Sequence, residues 1–254
     1  MFSLTGRSII VTGGAGHLGK GFCASLRDFG AHVLCLSSRI GEFPPLDGER
    51  EVGSITSEIC DVADEVAFAD AVKRFASQQG GIDGLVNNAS RAPRGIDFAM
   101  PSPLVEEAFR GAFLHYFTCS RIAIEHFRQG HGAIVNNASI WGRVSPDPRT
   151  YLDLGNEPSM PLVAAKAAVI QLTKYMAVLL APRGIRVNAL VPGFFPQRRG
   201  PDNPAYVAQM TSRIPMARIG APVELAGALV YLLSDASSYM TGQELIVDGG
   251  YTLW

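Results

Sequence analysis

Short runs of aliphatic and β-branched residues alternate along the chain with longer stretches whose apolar residues recur at helical spacing. The short runs fall at 8–11, 32–36, 57–60, 84–86, 133–135, 186–191 and 244–247 and read as buried strands. Helical periodicity covers 20–29, 65–79, 103–128, 161–180 and 222–233. Such alternation predicts α/β architecture: one doubly wound parallel sheet with helices on both faces. No compositional break or internal repeat divides 1–254, so a single domain is expected. Two segments interrupt the pattern. Residues 41–48 stand in the second crossover, where prolines and glycines forbid a long helix. Residues 193–213 form a polar excursion after the sixth strand, which predicts a lid or binding loop with Arg198 and Arg199 as solvated charges or, less simply, as partners of an anionic substrate group.

Between the first strand and its helix stands Thr12-Gly-Gly-Ala-Gly-His-Leu-Gly19. Strand, glycine turn and helix aim backbone N–H groups and a helix N-terminus at a pyrophosphate, and the close approach demands glycine. Dinucleotide binding is the first functional expectation.

Composition narrows the classes. A hydrophobic content of 47% supplies a large core, and a formal charge of -1 argues against nucleic acid or an anionic membrane as partner. Cys23, Cys35, Cys60 and Cys119 show no disulfide or metal-ligand spacing and read as small core hydrophobes. No metal is expected. The first strand begins within a few residues of Met1, leaving no room for a signal peptide, and no apolar run is read as a membrane span. A cytoplasmic location and a small-molecule substrate follow as expectations.

Six segments together resemble the short-chain dehydrogenase/reductase family over nearly the whole chain. They are 12–19, Cys60-Asp-Val62, Val86-Asn-Asn-Ala89, Ile134-Val-Asn-Asn-Ala-Ser139, Arg186-Val-Asn-Ala-Leu-Val-Pro-Gly193 and 241–250. The resemblance implies a Rossmann-type sheet of about seven strands with a nicotinamide cofactor across its carboxyl edge. It places the phosphates on Thr12, Gly13, Gly16, His17, Leu18 and Gly19, although His17 stands where most members have glycine and reads more simply as a surface side chain. It gives adenine to Asp61 and Val62, the adenosine ribose to Asn88 and Ala89, and the nicotinamide to Pro192, Gly193 and Phe195. The second strand ends in Ser37, Ser38 and Arg39 with no carboxylate, so NADP is favoured over NAD.

The catalytic set departs from the family pattern. Ser139 and Lys166 match the carbonyl-polarising serine and the ribose-holding lysine. The family's tyrosine, one helical turn before that lysine, is replaced by Leu162, and its asparagine position falls on Ala112. The stretch 143–160 is longer than the family norm and reads as a rim insertion. It carries Tyr151, which either packs the loop or serves as a substitute proton donor, while Asp147, Asp153 and His115 are the other candidate donors. Two functions follow: an NAD(P)-dependent oxidoreductase acting on a polar, sugar-like carbonyl or alcohol, or a dinucleotide-binding pseudoenzyme. The helix 161–180 is apolar on too many sides for a one-faced helix. The resemblance turns this surplus into a two-fold contact, hence a homotetramer or homodimer.

Overall fold

The computed structural model describes residues 1–43, 53–93, 98–151, 157–196 and 204–254. Seven strands form one parallel sheet: β1 (Ser8–Thr12), β2 (His32–Ser37), β3 (Ser54–Ile59), β4 (Gly84–Asn87), β5 (Gly132–Asn137), β6 (Ile185–Pro192) and β7 (Glu244–Val247). Their order is β3-β2-β1-β4-β5-β6-β7, so the winding reverses between β1 and β4. In an open α/β sheet that reversal leaves a crevice at the carboxyl edge.

Successive residues of β1 serve opposite faces, as the two-residue period requires. Ile10 packs with Leu34, Leu85 and Ile134 beneath α2 (Glu65–Gln79), α4 (His115–Ile124) and α5 (Met160–Leu180). Ile9 and Val11 join Val33, Val86 and Val135 beneath α1 (His17–Asp28) and α7 (Ala226–Leu233). Full burial of side chains such as Phe22 and Phe68 contributes about 1.5–3 kcal/mol each.

The first strand, the parallel pairing and the two-sided core agree with the sequence reading; four local differences have physical causes. β3 begins at Ser54, not 57, because an edge strand tolerates the polar Ser54 and Thr56 that masked it. The predicted helix 103–128 is broken: α3 (Ser102–Phe109) passes through a π-turn at Arg110–Leu114 into α4, which ends at Ile124. Gly111 lies against Arg91 there, and a Cβ on it would stand 2.1 Å from the Arg91 carbonyl oxygen. The excursion 193–213 contains a helix, α6 (Pro204–Thr211); Arg198 and Arg199 lie outside the described residues, as does most of 41–48. Finally, α5 with its last 3-10 turn (Met160–Arg183) is long and apolar enough to cross a membrane, contrary to the sequence expectation. It is instead a core helix, burying Ala165, Val169, Ile170, Met176 and Leu180 against the sheet.

Candidate active site at the carboxyl edge of the sheet

The glycine turn after β1 is a cradle in which side chains have no space. Gly13 adopts φ 63°, and a Cβ there would lie 2.8 Å from Ala89 Cα, so the turn presses on the end of β4. A Cβ on Gly19 would lie 2.2 Å from the Gly13 oxygen, which locks the start of α1 onto the loop. Gly16 caps α1 without a side-chain hydrogen bond, leaving the helix N-terminus open to an anion. His17, the first residue of α1, is half-buried, and its Nε2 atom is buried without a hydrogen-bond partner. These features fit a dinucleotide pyrophosphate.

Thr12 ties β1 to β4. Its Oγ1 accepts from the backbone N–H groups of Asn88 (2.9 Å) and Ala89 (3.1 Å). Asn88 Nδ2 donates to the Thr12 and Gly13 carbonyls, and Asn88 Oδ1 accepts from Asn137 Nδ2 at 2.9 Å. At the end of β2, Ser37 is buried while Ser38 and Arg39 are exposed. Arg39 reaches back to donate to the Ala15 carbonyl at 3.0 Å, so its guanidinium lies over the glycine turn. Asp61 and Val62 follow β3; Asp61 is exposed and its Oδ1 accepts from the Ala63 N–H.

Lys166 enters this region from α5. It is buried, and Nζ donates to the Asn137 carbonyl at 2.9 Å and to Tyr116 Oη at 3.2 Å. Tyr116 Oη in turn donates to the same Asn137 carbonyl at 2.9 Å. Burial pushes the lysine down to about 7 and raises the Tyr116 phenol well above its ordinary value. Tyr116 was missed in the sequence. The signal for it is its place four residues after Ala112, on the same helical face. Ala112 is fully buried in the π-turn, and Leu162 is half-buried at the start of α5.

Ser139 follows β5 two residues after Asn137. Its Oγ accepts from the Trp141 N–H at 3.2 Å, which leaves the hydroxyl proton to give elsewhere. Gly142 seats this turn on α5; a Cβ there would lie 2.8 Å from the Lys166 carbonyl carbon. Past Ser139 stands an aromatic wall. Trp141 meets Phe194 at 5.5 Å and Tyr251 at 5.6 Å, both edge-on. Pro192 ends β6, and Gly193 is held against Asp248, where a Cβ would lie 2.7 Å from its Cα. Phe195 packs instead toward Gly220 and the α1/α7 face.

Tyr151 is 3% exposed, in a cluster with Tyr206 and Met210 of α6 and against Trp141. The rim segment 143–151 and α6 thus form one cap, clamped further by Arg213 to Asp147 at 2.6 Å. Hydrogen bonding from Arg149, aided by Arg213, holds the Asp147 carboxyl down at about 2, so it remains ionised and has no proton to give near neutrality. His115 has both ring nitrogens on backbone carbonyls, Nδ1 on Arg110 (3.1 Å) and Nε2 on Ala89 (2.6 Å), and burial lowers its pKa. Asp153 lies outside the described residues.

A glycine-cradled helix N-terminus at a β1/β4 reversal, with Ser139 and a buried Lys166 at the same carboxyl edge, defines the Rossmann class of α/β protein. The family described as enoyl-(acyl carrier protein) reductase matches residues 15–252. The cis-4-hydroxycyclohexanecarboxylate dehydrogenase of Sinomonas cyclohexanicum is 36% identical over 254 residues, covering 97% of this chain and 96% of its own. The L-rhamnose 1-dehydrogenase (NAD(P)(+)) of Sphingomonas sp. (strain SKA58) is 31% identical over 97% of this chain and 96% of its own. Among solved structures, a gluconate 5-dehydrogenase from Burkholderia cenocepacia J2315 in complex with NADP and tartrate superposes with a TM-score of 0.84. It is 28% identical, covering 100% of this chain and 98% of its own. The chain belongs to the short-chain dehydrogenase/reductase family.

Proposed function

We propose that the protein is an NADP(H)-preferring oxidoreductase that interconverts a cyclic, polar secondary alcohol and its ketone. The observation that carries this reading is the joint retention of Ser139 and a buried Lys166 beside an intact glycine cradle. A protein kept only to hold a dinucleotide would not need a serine hydroxyl whose proton is unspent, and two of its relatives are dehydrogenases named for a cyclic and a sugar substrate. The pseudoenzyme alternative therefore loses ground.

Each residue has a task. Gly13, Gly16, Gly19 and the N–H groups of His17 and Leu18 receive the pyrophosphate, and Thr12 holds the turn in shape. Asp61 and Val62 border adenine, while Asn88 and Ala89 border its ribose. Ser37, Ser38 and Arg39 receive the 2′-phosphate, and the position of Arg39 over Ala15 supports the NADP preference. Pro192 and Gly193 flank the nicotinamide, which supplies or accepts the hydride when bound. Ser139 donates to the substrate oxygen. Trp141 and Phe194 offer ring faces to a cyclic substrate. Tyr151 we assign to the cap's packing and not to proton transfer.

The same reading extends to assembly. Met160, Tyr175, Val178 and Leu179 of α5 and Leu114 and Phe117 near α4 are exposed. A groove of about 450 Å³ between the rim loop and Met160, Val163, Ala164 and Ala167 continues this face. A second copy of the chain covers it, in a homodimer or homotetramer.

The test is a panel of cyclic alcohols, cyclic hydroxy acids and aldoses assayed with NADP⁺ and NAD⁺ by nicotinamide absorbance. Turnover of a ring alcohol, faster with NADP⁺ at low cofactor concentration, is expected. Tight dinucleotide binding with no turnover across the panel would overturn the reading in favour of a non-catalytic binding protein.

A further inference from the structure

The oxidoreductase reading leaves one chemical need unmet: a proton for the substrate oxygen at the place where Leu162 stands. Every substitute foreseen from the described residues is spoken for. Tyr151 is packed in the cap, Asp147 is held ionised by two guanidinium groups, and His115 has both nitrogens on carbonyls. Tyr116 is nearer, but it is fully buried and its proton is committed to the Asn137 carbonyl.

Resting on that reading, we propose that Lys166 itself is the catalytic acid and base, with Tyr116 as the positioning residue that aims it. The geometry distinguishes its N–H bonds. Asn137 O and Tyr116 Oη accept two of them, and an amine and an ammonium both own those two. Only the third position differs between the two forms: it carries an N–H in the ammonium and a lone pair in the amine. It has no partner among the described residues, and no carboxylate among them forms an ion pair with Lys166. The other groups facing this lysine are the neutral Tyr116, whose ring centroid lies 5.0 Å from Nζ, and His115, packed edge-on against Tyr116. Neither supplies a negative charge to hold the ammonium against its burial, so the lysine titrates where a general acid–base works best.

The step balances simply. As the carbonyl carbon takes hydride from a reduced nicotinamide dinucleotide, its oxygen gains the electron pair. That oxygen takes the third ammonium proton; one N–H bond breaks, one O–H bond forms, and a neutral amine remains. Oxidation runs in reverse, with the amine lone pair taking the hydroxyl proton.

The chain has four lysines, so each can be followed by the carbon-13 shift of its ε-carbon in lysine-labelled protein. One signal is expected to titrate near pH 7, and Lys166→Met should delete it. Tyr116→Phe should move that midpoint downward, since the ammonium loses an acceptor, and should move the pH midpoint of kcat with it. Lys166→Met should also lower kcat by a factor of about 10²–10⁴. Should Lys166→Met fail to fold, Tyr116→Phe and the wild-type titration decide. A protein that binds dinucleotide but whose four lysines all titrate above pH 9 overturns the proposal and leaves the oxidoreductase reading standing. A protein that binds no dinucleotide overturns both.

Discussion

The two halves of the crevice are built from different material. On the β1–β4 side the wall is backbone: glycine turns, helix N–H groups and carbonyl contacts so close that a single added carbon collides with main chain. On the β5–β6 side it is side chain: Ser139, Lys166, Tyr116 and an aromatic cap. A surface made of backbone cannot drift without losing its shape. One made of side chains can exchange partners while the scaffold stays put. The first half therefore follows the resembled pattern apart from the side chain of His17, whereas the sequence reading puts Leu162 and Ala112 in place of a tyrosine and an asparagine in the second.

The largest test of this contrast is Gly19→Ala. The added Cβ meets the Gly13 oxygen at 2.2 Å and Gly14 Cα at 2.7 Å, both backbone, so either α1 or the turn must shift. Overpacking of this kind costs about 1–3 kcal/mol. Thermal unfolding should show the loss, and calorimetric titration should show dinucleotide affinity down at least about tenfold. Unchanged affinity would break the claim that this half is sterically fixed.

On the other half, pH separates Lys166 from its surroundings. Its pKa lies near 7 in the folded chain, against about 10.4 in an unfolded one. Below pH 7 both states hold the proton; between 7 and 10.4 only the unfolded state does, so stability gained from this group rises with pH across that window. The stability advantage of Lys166→Met over wild type should therefore shrink from pH 7 to pH 10. A constant difference in denaturant midpoints would mean that the lysine is not held neutral by burial.

Arg39 tests the border between the halves. Its side chain is exposed and lies over backbone, so it is replaceable without harm to the fold. Arg39→Ala should weaken NADPH about tenfold, or 1.4 kcal/mol, and NADH much less. Equal losses would mean that the guanidinium stacks on adenine and does not read the phosphate.

Legibility followed the same divide. The seven strands, the winding and the glycine cradle were readable because apolar periodicity and steric need leave direct marks: 8–11, 84–86 and 133–135 each lie inside an observed strand. β3 was shortened because an edge strand hides among polar residues. α6 went unseen because a short helix after a proline-rich stretch has little periodicity to show. In the site, the sequence offers no tyrosine one turn before Lys166, and it did not make plain the partner that Lys166 finds. Tyr116 lies 50 residues from Lys166, and only the packing of α4 and α5 on the sheet brings the two together. Tyr151, by contrast, stands at a suggestive distance from Ser139 in sequence, yet its ring packs against α6.

The smallest effect expected is therefore that of Tyr151→Phe. The ring lies between Trp141 and Tyr206, with centroids 6.4 Å from each, and phenylalanine keeps that packing. Loss of the hydroxyl alone should cost about 1 kcal/mol of stability and leave kcat within about threefold, with the pH midpoint of turnover unmoved. Tyr151→Ala is the control that removes the ring: it should cost about 3–5 kcal/mol by leaving a cavity in the cap, and raise KM more than it lowers kcat, because the wall that includes Trp141 loses its support. If instead Tyr151→Phe alone lowers kcat by about 10²–10⁴ with KM unchanged, the phenol is the proton donor. The cap would then have to swing inward during the reaction, and the side-chain half of the crevice would be still more changeable than its resting geometry shows.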